Sequence, residues 1–225
     1  CSENRVHNIT KGALLIDGSI VPAGQTFSCN DSLGVRSREN GWLPATAFAN
    51  GGAETRQEYG GGICQISTTL YNAVLRSDLE IIARSGHTRK VRYIGGGLDA
   101  ALSGKDKDFV FRNNTDSDIY VFMWVDESQK TLCCEIYGCP FPSDFDRVDT
   151  VSELTSSTPP SEPQFVLDSA LEPGECVLKR KAIAGSTYQS YRVYSLNGEI
   201  IRRVPIDKTE YPMHPALYAV GQGKS

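Results

Sequence analysis

Tyr59-Gly60-Gly61-Gly62-Ile63-Cys64-Gln65-Ile66-Ser67-Thr68-Thr69-Leu70-Tyr71 runs three glycines into a cysteine, and the cysteine stands at the mouth of a helix. The helix is read from spacing: Ile63, Ile66, Leu70 and Val74 recur at steps of three and four, one face of a 3.6-residue period. Glycine admits backbone conformations closed to other residues and lets a neighbour come close. A thiol in the first helical turn meets unpaired N–H groups and the positive end of the dipole, which favours its thiolate. The same arrangement buries a small apolar residue behind a tight turn. Cys64 therefore has two readings, nucleophile and inert core residue.

Working outward, Leu79 to Ala83, Thr88 to Ile94, Phe109 to Arg112, Ile119 to Val125 and Thr131 to Tyr137 read as strands. Upstream, Ala13–Ile16 and Ser19–Val21 flank Asp17-Gly18, the pattern of a hairpin. The expected fold class is α+β: one main helix, opening at the Gly-Gly-Gly-Ile-Cys motif, packed on a mostly antiparallel sheet. Pro140-Phe141-Pro142 and Thr155-Ser156-Ser157-Thr158-Pro159-Pro160-Ser161 mark 141–163 as a Pro/Ser-rich linker. It separates a larger unit, 1–140, from a small extended all-β unit, 164–225. In the latter, Asn197-Gly198 between Tyr188–Tyr194 and Glu199–Val204 signals a hairpin.

Composition excludes several classes. The chain has 225 residues and a net charge of −4, from 23 basic and 27 acidic side chains. That balance gives no basic footprint for nucleic acid or anionic lipid. No apolar run approaches a membrane span, and no secretory signal is present, so an export signal is expected to be absent from this chain. Seven cysteines is an odd number, which leaves at least one unpaired within the chain.

Cys64, His87 and Asp99 follow one another in the order nucleophile, base, orienting acid. His takes the thiol proton, the pair favours thiolate–imidazolium, and the acid orients the ring. The order resembles that of transglutaminase and papain-like cysteine enzymes. Backbone N–H groups of Gly61 and Gly62, with Gln65 as a further donor, are expected to hold an oxyanion. Trp42, Tyr59 and Tyr71 flank the motif and are expected to line a ligand groove. Against this stands the bland reading: Cys64 packs, His87 ties down a turn, and Asp99 caps the Gly95–Gly97 turn. A zinc site from Cys64, His87, Cys29 and His7 lacks paired ligand spacing, so neither a metal nor a cofactor is expected. Tyr188, Tyr191, Tyr194 and Tyr211 form either a sugar-stacking platform or cross-strand packing pairs.

The glycine–cysteine run resembles the signature of the VanW family, first met in vancomycin-resistance gene clusters. Ile20-Val21-Pro22-Ala23-Gly24-Gln25-Thr26-Phe27-Ser28, Gly86-His87-Thr88, Gly97-Leu98-Asp99-Ala100 and Phe109 to Thr115 extend the match in order over residues 4–139. Cys29, Cys133 and Cys134 depart from the family pattern. Leu171-Glu172-Pro173-Gly174, Tyr191 to Tyr194, Asn197-Gly198 and Ala219-Val220-Gly221 resemble a G-five (G5) domain. Together these resemblances imply an exported, extracellular protein of the Gram-positive cell envelope. Its partner would be peptidoglycan, as a wall peptide or an N-acetylglucosamine-containing glycan. Two functions remain open: a cysteine amide hydrolase or transferase, and a wall-binding or assembly module in which Cys64 is structural.

Overall fold

The computed structural model describes residues 2–49, 54–104 and 106–222. Helix α1 (Glu3–Ile16) starts at Ser2, whose side chain caps the Arg5 N–H, and buries Ile9, Ala13 and Ile16 along one face. This corrects the expected early hairpin. Ala13–Ile16 is the last turn of a helix, and Asp17-Gly18 stops it instead of turning a hairpin, with Gly18 at φ 74°. Asp17 Oδ1 then takes the Met123 N–H at 2.9 Å. Strand β1 (Ser19–Val21) pairs antiparallel with β7 (Ile119–Asp126), which also carries β8 (Thr131–Tyr137).

Between these lie β2 (Thr26–Ser28), the short α2 (Cys29–Leu33), the hairpin strands β3 (Pro44–Ala49) and β4 (Glu54–Tyr59), and α3 (Ile63–Arg76). Strands β5 (Glu80–Ala83) and β6 (Val110–Arg112) complete a second sheet in the order β2-β6-β5. Among the described residues there are thus two fourteen-residue helices rather than one main helix, and the fold is predominantly β, in several small and mostly antiparallel sheets. Ile66, Leu70, Val74 and Leu75 of α3 are fully buried against Ile16, Phe109, Phe111 and Met123. The expected strand over 88–94 is irregular chain, so His87 sits on a loop.

The stretch read as a linker holds β9 (Arg147–Thr158), a twelve-residue strand. Its Ser/Thr/Val composition is strand chemistry, and the prolines flank it without interrupting it. Two further strands, β10 (Gln164–Asp168) and β11 (Cys176–Arg180), precede the long hairpin β12 (Gly185–Leu196) and β13 (Glu199–Tyr211). The hairpin turns at Asn197-Gly198, both at positive φ, as its sequence requires. Strand β9 pairs with β12 from Arg147↔Ser195 to Thr158↔Gly185, giving the order β13-β12-β9. The last strand, β14 (Leu217–Gly221), lies between β10, parallel to it, and β11.

This second unit docks on the first. Asp78 receives Arg192 Nη1 at 3.2 Å and the Tyr194 hydroxyl at 2.6 Å. Lys90 Nζ reaches the Tyr188 hydroxyl at 2.8 Å, and Ser152 Oγ bonds the Gly96 carbonyl. Among the described residues no helix is long and apolar enough to cross a membrane.

Candidate active site

Two glycines bring the helix of Cys64 into place. A Cβ on Gly61 would lie 2.4 Å from the Ala45 carbonyl oxygen, so only glycine lets this turn press against β3. Gly62 precedes the helix at φ 114°, a left-handed value disfavoured for other residues. Cys64 is therefore the second residue of α3. The Gly61 N–H is spent on the Glu58 carbonyl at 3.2 Å, which removes Gly61 from the expected oxyanion donors. Among the described residues no backbone carbonyl takes the Gly62 or Cys64 N–H.

The other face of α3 carries buried polar groups: Ser67, Thr68 and Asn72. They hold the loop that bears the acid. Ser67 Oγ donates to the Ala100 carbonyl at 2.7 Å, Thr68 Oγ1 accepts the Ala100 N–H at 3.0 Å, and Asn72 Nδ2 donates to the Leu98 carbonyl at 2.8 Å. One helix thus fixes both the thiol and the carboxylate's loop. The Cys64 sulfur itself accepts the Leu102 N–H at 3.4 Å.

Asp99 holds His87, and His87 and Cys64 line one cleft. Asp99 is fully buried, and its Oδ2 bonds His87 twice: to the ring Nδ1 at 2.6 Å and to the backbone N–H at 2.7 Å. With Nδ1 committed to Asp99, Nε2 is the ring nitrogen left for the Cys64 thiol, which lines the same cleft as His87. Burial opposes each charge, and the partners overcome it. Desolvation raises the Cys64 thiol, but the His87 hydrogen bond and charge, the Leu102 N–H and Arg5 bring it below its ordinary value. Desolvation lowers His87, yet the bonds to Asp99 and Cys64 push it up to about 9. Desolvation raises Asp99, but bonds from His87 and Tyr211 take it down to about 2. The buried Cys29 shows the contrast: burial drives its thiol far above the usual range.

Two residues that sequence reasoning missed support the acid. Tyr211, at the end of β13, donates its hydroxyl to Asp99 Oδ1 and accepts the Gly97 N–H at 2.8 Å. Arg84 Nε donates to the Asp99 carbonyl at 2.7 Å, while Nη1 reaches Asp207 Oδ2 at 2.7 Å and Thr209 Oγ1 at 2.8 Å on β13. Tyr211 lies 112 residues from Asp99, so no local pattern announces it.

An open cleft of about 1770 Å³ spreads from Cys64, walled by β3 and β4 on one side and by residues 87–93, 101–104 and 107 on the other. Of the expected groove residues, Tyr59 lines it. Trp42 and Tyr71, each 1% exposed, do not: they are core side chains, and Tyr71 packs edge-on against Phe109 with Arg84 over its ring. Gln65 lines the cleft with its amide oxygen taken by Arg5 Nη2 at 3.0 Å. Phe48 stands edge-on to the His87 ring, with centroids 6.4 Å apart. His7 bonds the Gly41 carbonyl, and among the described residues no His/Cys/Asp/Glu group could hold a metal. The six described cysteines are all free thiols. Of the C-terminal tyrosines, Tyr194 and Tyr211 are buried packing residues, while Tyr188 and Tyr191 are half-buried.

Residues 4–137 match the family model described as "VanW like protein", and the chain belongs to the VanW family. It is 41% identical over 120 residues to "Uncharacterized protein YoaR" of Bacillus subtilis, a span of 53% of this chain and 39% of the relative. It is 30% identical over 132 residues to "Vancomycin B-type resistance protein VanW" of Enterococcus faecalis, covering 56% of this chain and 47% of the relative. The matches thus span less than half the length of either relative. A solved IgA1 protease G5 domain overlays 34% of this chain and 92% of its own, at 17% identity and a TM-score of 0.24. A second G5 structure, HP0197-G5, covers 33% and 97%, at 16% identity and a TM-score of 0.19. Overlaps this slight carry no argument about the C-terminal unit.

Proposed function

We propose that this chain is a cell-envelope cysteine enzyme that cleaves or transfers an amide bond of a peptidoglycan peptide. The carrying observation is the Asp99–His87 pair sharing a cleft with Cys64, with the thiol lowered and the imidazole raised. The Cys64 thiolate attacks the amide carbonyl carbon, and the first-turn N–H of Cys64, with that of Gly62, faces the developing oxyanion. The C–N bond breaks as imidazolium His87 gives its proton to the leaving amine, leaving an acyl thioester. Water or a second amine then attacks, His87 takes its proton, and the thiolate departs. Water gives hydrolysis, and an amine gives transfer. The wall context rests on VanW family membership and on the resistance protein among the relatives. The G5-like sequence pattern of residues 164–225 adds a glycan-binding role for that unit.

The test is residue-resolved alkylation of the native chain by iodoacetamide, read by mass spectrometry across pH. Cys64 is expected to react rapidly near pH 6, ahead of the exposed Cys139 and Cys176, and Cys64→Ala to abolish release of amine from wall peptides. A Cys64 that stays unmodified in the native chain favours the non-catalytic binding module instead.

A further inference from the structure

The cleft inverts the charge of the chain. The protein carries a net −4, yet Arg5, Arg36, Arg89, Lys90, Arg92 and Lys107 line the cleft, opposed by Asp31 and Glu58. Glu58 is already taken by Arg56 on the same wall. None of the six cations pairs with a carboxylate among the described residues. Four of them are held by neutral partners. Arg5 donates to Gln65 Oε1 at 3.0 Å, Arg36 to Asn30 Oδ1 at 3.0 Å, and Lys90 to the Tyr188 hydroxyl. Arg89 lies over the Phe48 ring at 5.7 Å. These contacts aim the side chains without neutralising them, and a concave wall of one sign focuses its field on whatever enters.

Arg5 stands beside the start of the helix that bears the thiol. Its Cγ lies 3.1 Å from where a Cβ on Gly62 would stand, which lays the side chain across the mouth of α3. Its charge also helps hold the Cys64 thiolate. A thiolate–imidazolium pair has no net charge, so it does not cancel the surrounding cations. Four of the six are guanidinium groups, whose planar forks match carboxylates. A sulfur nucleophile requires an acyl carbonyl, which a phosphate polymer does not offer.

We infer that the cleft recognises an acidic acyl donor: a peptide with a free carboxylate next to the amide under attack, received by Arg5, and a further carboxylate met by Arg89 and Arg92. This specificity rests on the catalytic reading for its meaning, but its test does not need a reactive thiol. The full chain carrying Cys64→Ala is titrated with a fluorescent tetrapeptide bearing two free carboxylates, and with the same peptide as its bis-amide. The diacid is expected to bind roughly tenfold more tightly, the gap closing at about 0.5 M salt as screening sets in. Arg5→Gln and Arg92→Gln are each expected to cost the diacid several-fold in affinity and leave the diamide unchanged. Arg92 is exposed, so its variant carries the test if Arg5→Gln does not fold. Equal affinity for diacid and diamide overturns the inference, as does inorganic polyphosphate displacing the diacid at equal charge. Alkylation of Cys64 in the unmodified chain reports separately on the catalytic reading.

Discussion

The first unit gathers Ile16, Trp42, Leu70, Phe109 and Phe111 into one continuous core, whereas the strands after residue 140 gather Phe145, Val148 and Tyr194, with Phe141, into a small cluster. Each large apolar side chain buried contributes about 1.5–3 kcal/mol. The first unit therefore stands on packing. The second stands on strand pairing and on its grip on the first, through Asp78 with Arg192 and Tyr194. Dependence runs the other way at the site. The larger unit supplies thiol, imidazole and carboxylate, but the hydroxyl that holds the carboxylate comes from β13. The weakly cored half is thus part of the site's framework, and residues 1–140 alone are not expected to retain full reactivity.

The largest effect expected is that of Asp99→Asn. It removes the charge that raises His87, and Cys64 alkylation near pH 6 should fall roughly a hundredfold or more. A variant alkylated at the unmodified rate would sink the triad. Gly61→Ala comes next. The new methyl meets the Ala45 carbonyl, and overpacking of this kind costs about 1–3 kcal/mol, measured by urea unfolding. An unchanged midpoint would make the glycine a spacer.

Tyr211→Phe tests the debt of the first unit to the second. It deletes one hydrogen bond to a charged group, worth about 1.5–3 kcal/mol. With Asp99 held less firmly, His87 falls and the Cys64 thiol rises. The alkylation profile should move to higher pH and its rate near pH 6 should drop about tenfold. If stability falls but the profile does not move, Tyr211 is only mortar.

A comparable term appears in acid. Asp99 is depressed to about 2, so its contribution is complete above its ordinary value and disappears as pH falls toward about 2. The unmodified chain should lose on the order of 2 kcal/mol through that window, and Asp99→Asn should flatten the loss. Smallest is the proteolytic signature. As a paired strand, 147–158 should resist limited trypsin as well as β12 does, and early cleavage at Arg147 would restore the tether.

Some of this was legible because it is local. The apolar steps of Ile63, Ile66, Leu70 and Val74 fixed α3, and the glycine run placed Cys64 at its start. The polar stripe Ser67, Thr68 and Asn72 on the same helix was a readable signal that a polar loop packs there. Helix α1 was misread because Asp17-Gly18 serves a helix stop and a hairpin turn equally well. Strand β9 was misread because prolines on both sides lent it the look of a linker. Trp42 and Tyr71 were drawn to the groove by nearness in sequence, but rings of that size gain more by full burial. Arg5 and Tyr211 were out of reach of any local reading, since they meet Gln65 and Asp99 across 60 and 112 residues.

That last separation has a consequence in time. A growing chain makes Cys64, His87 and Asp99 long before residue 211 leaves the ribosome. Until β13 is laid against β12, the acid lacks its tyrosine and the thiol lacks its full activation. On the catalytic reading proposed above, arming is deferred to the closing steps of folding, and a half-made chain carries a cysteine that is still safe.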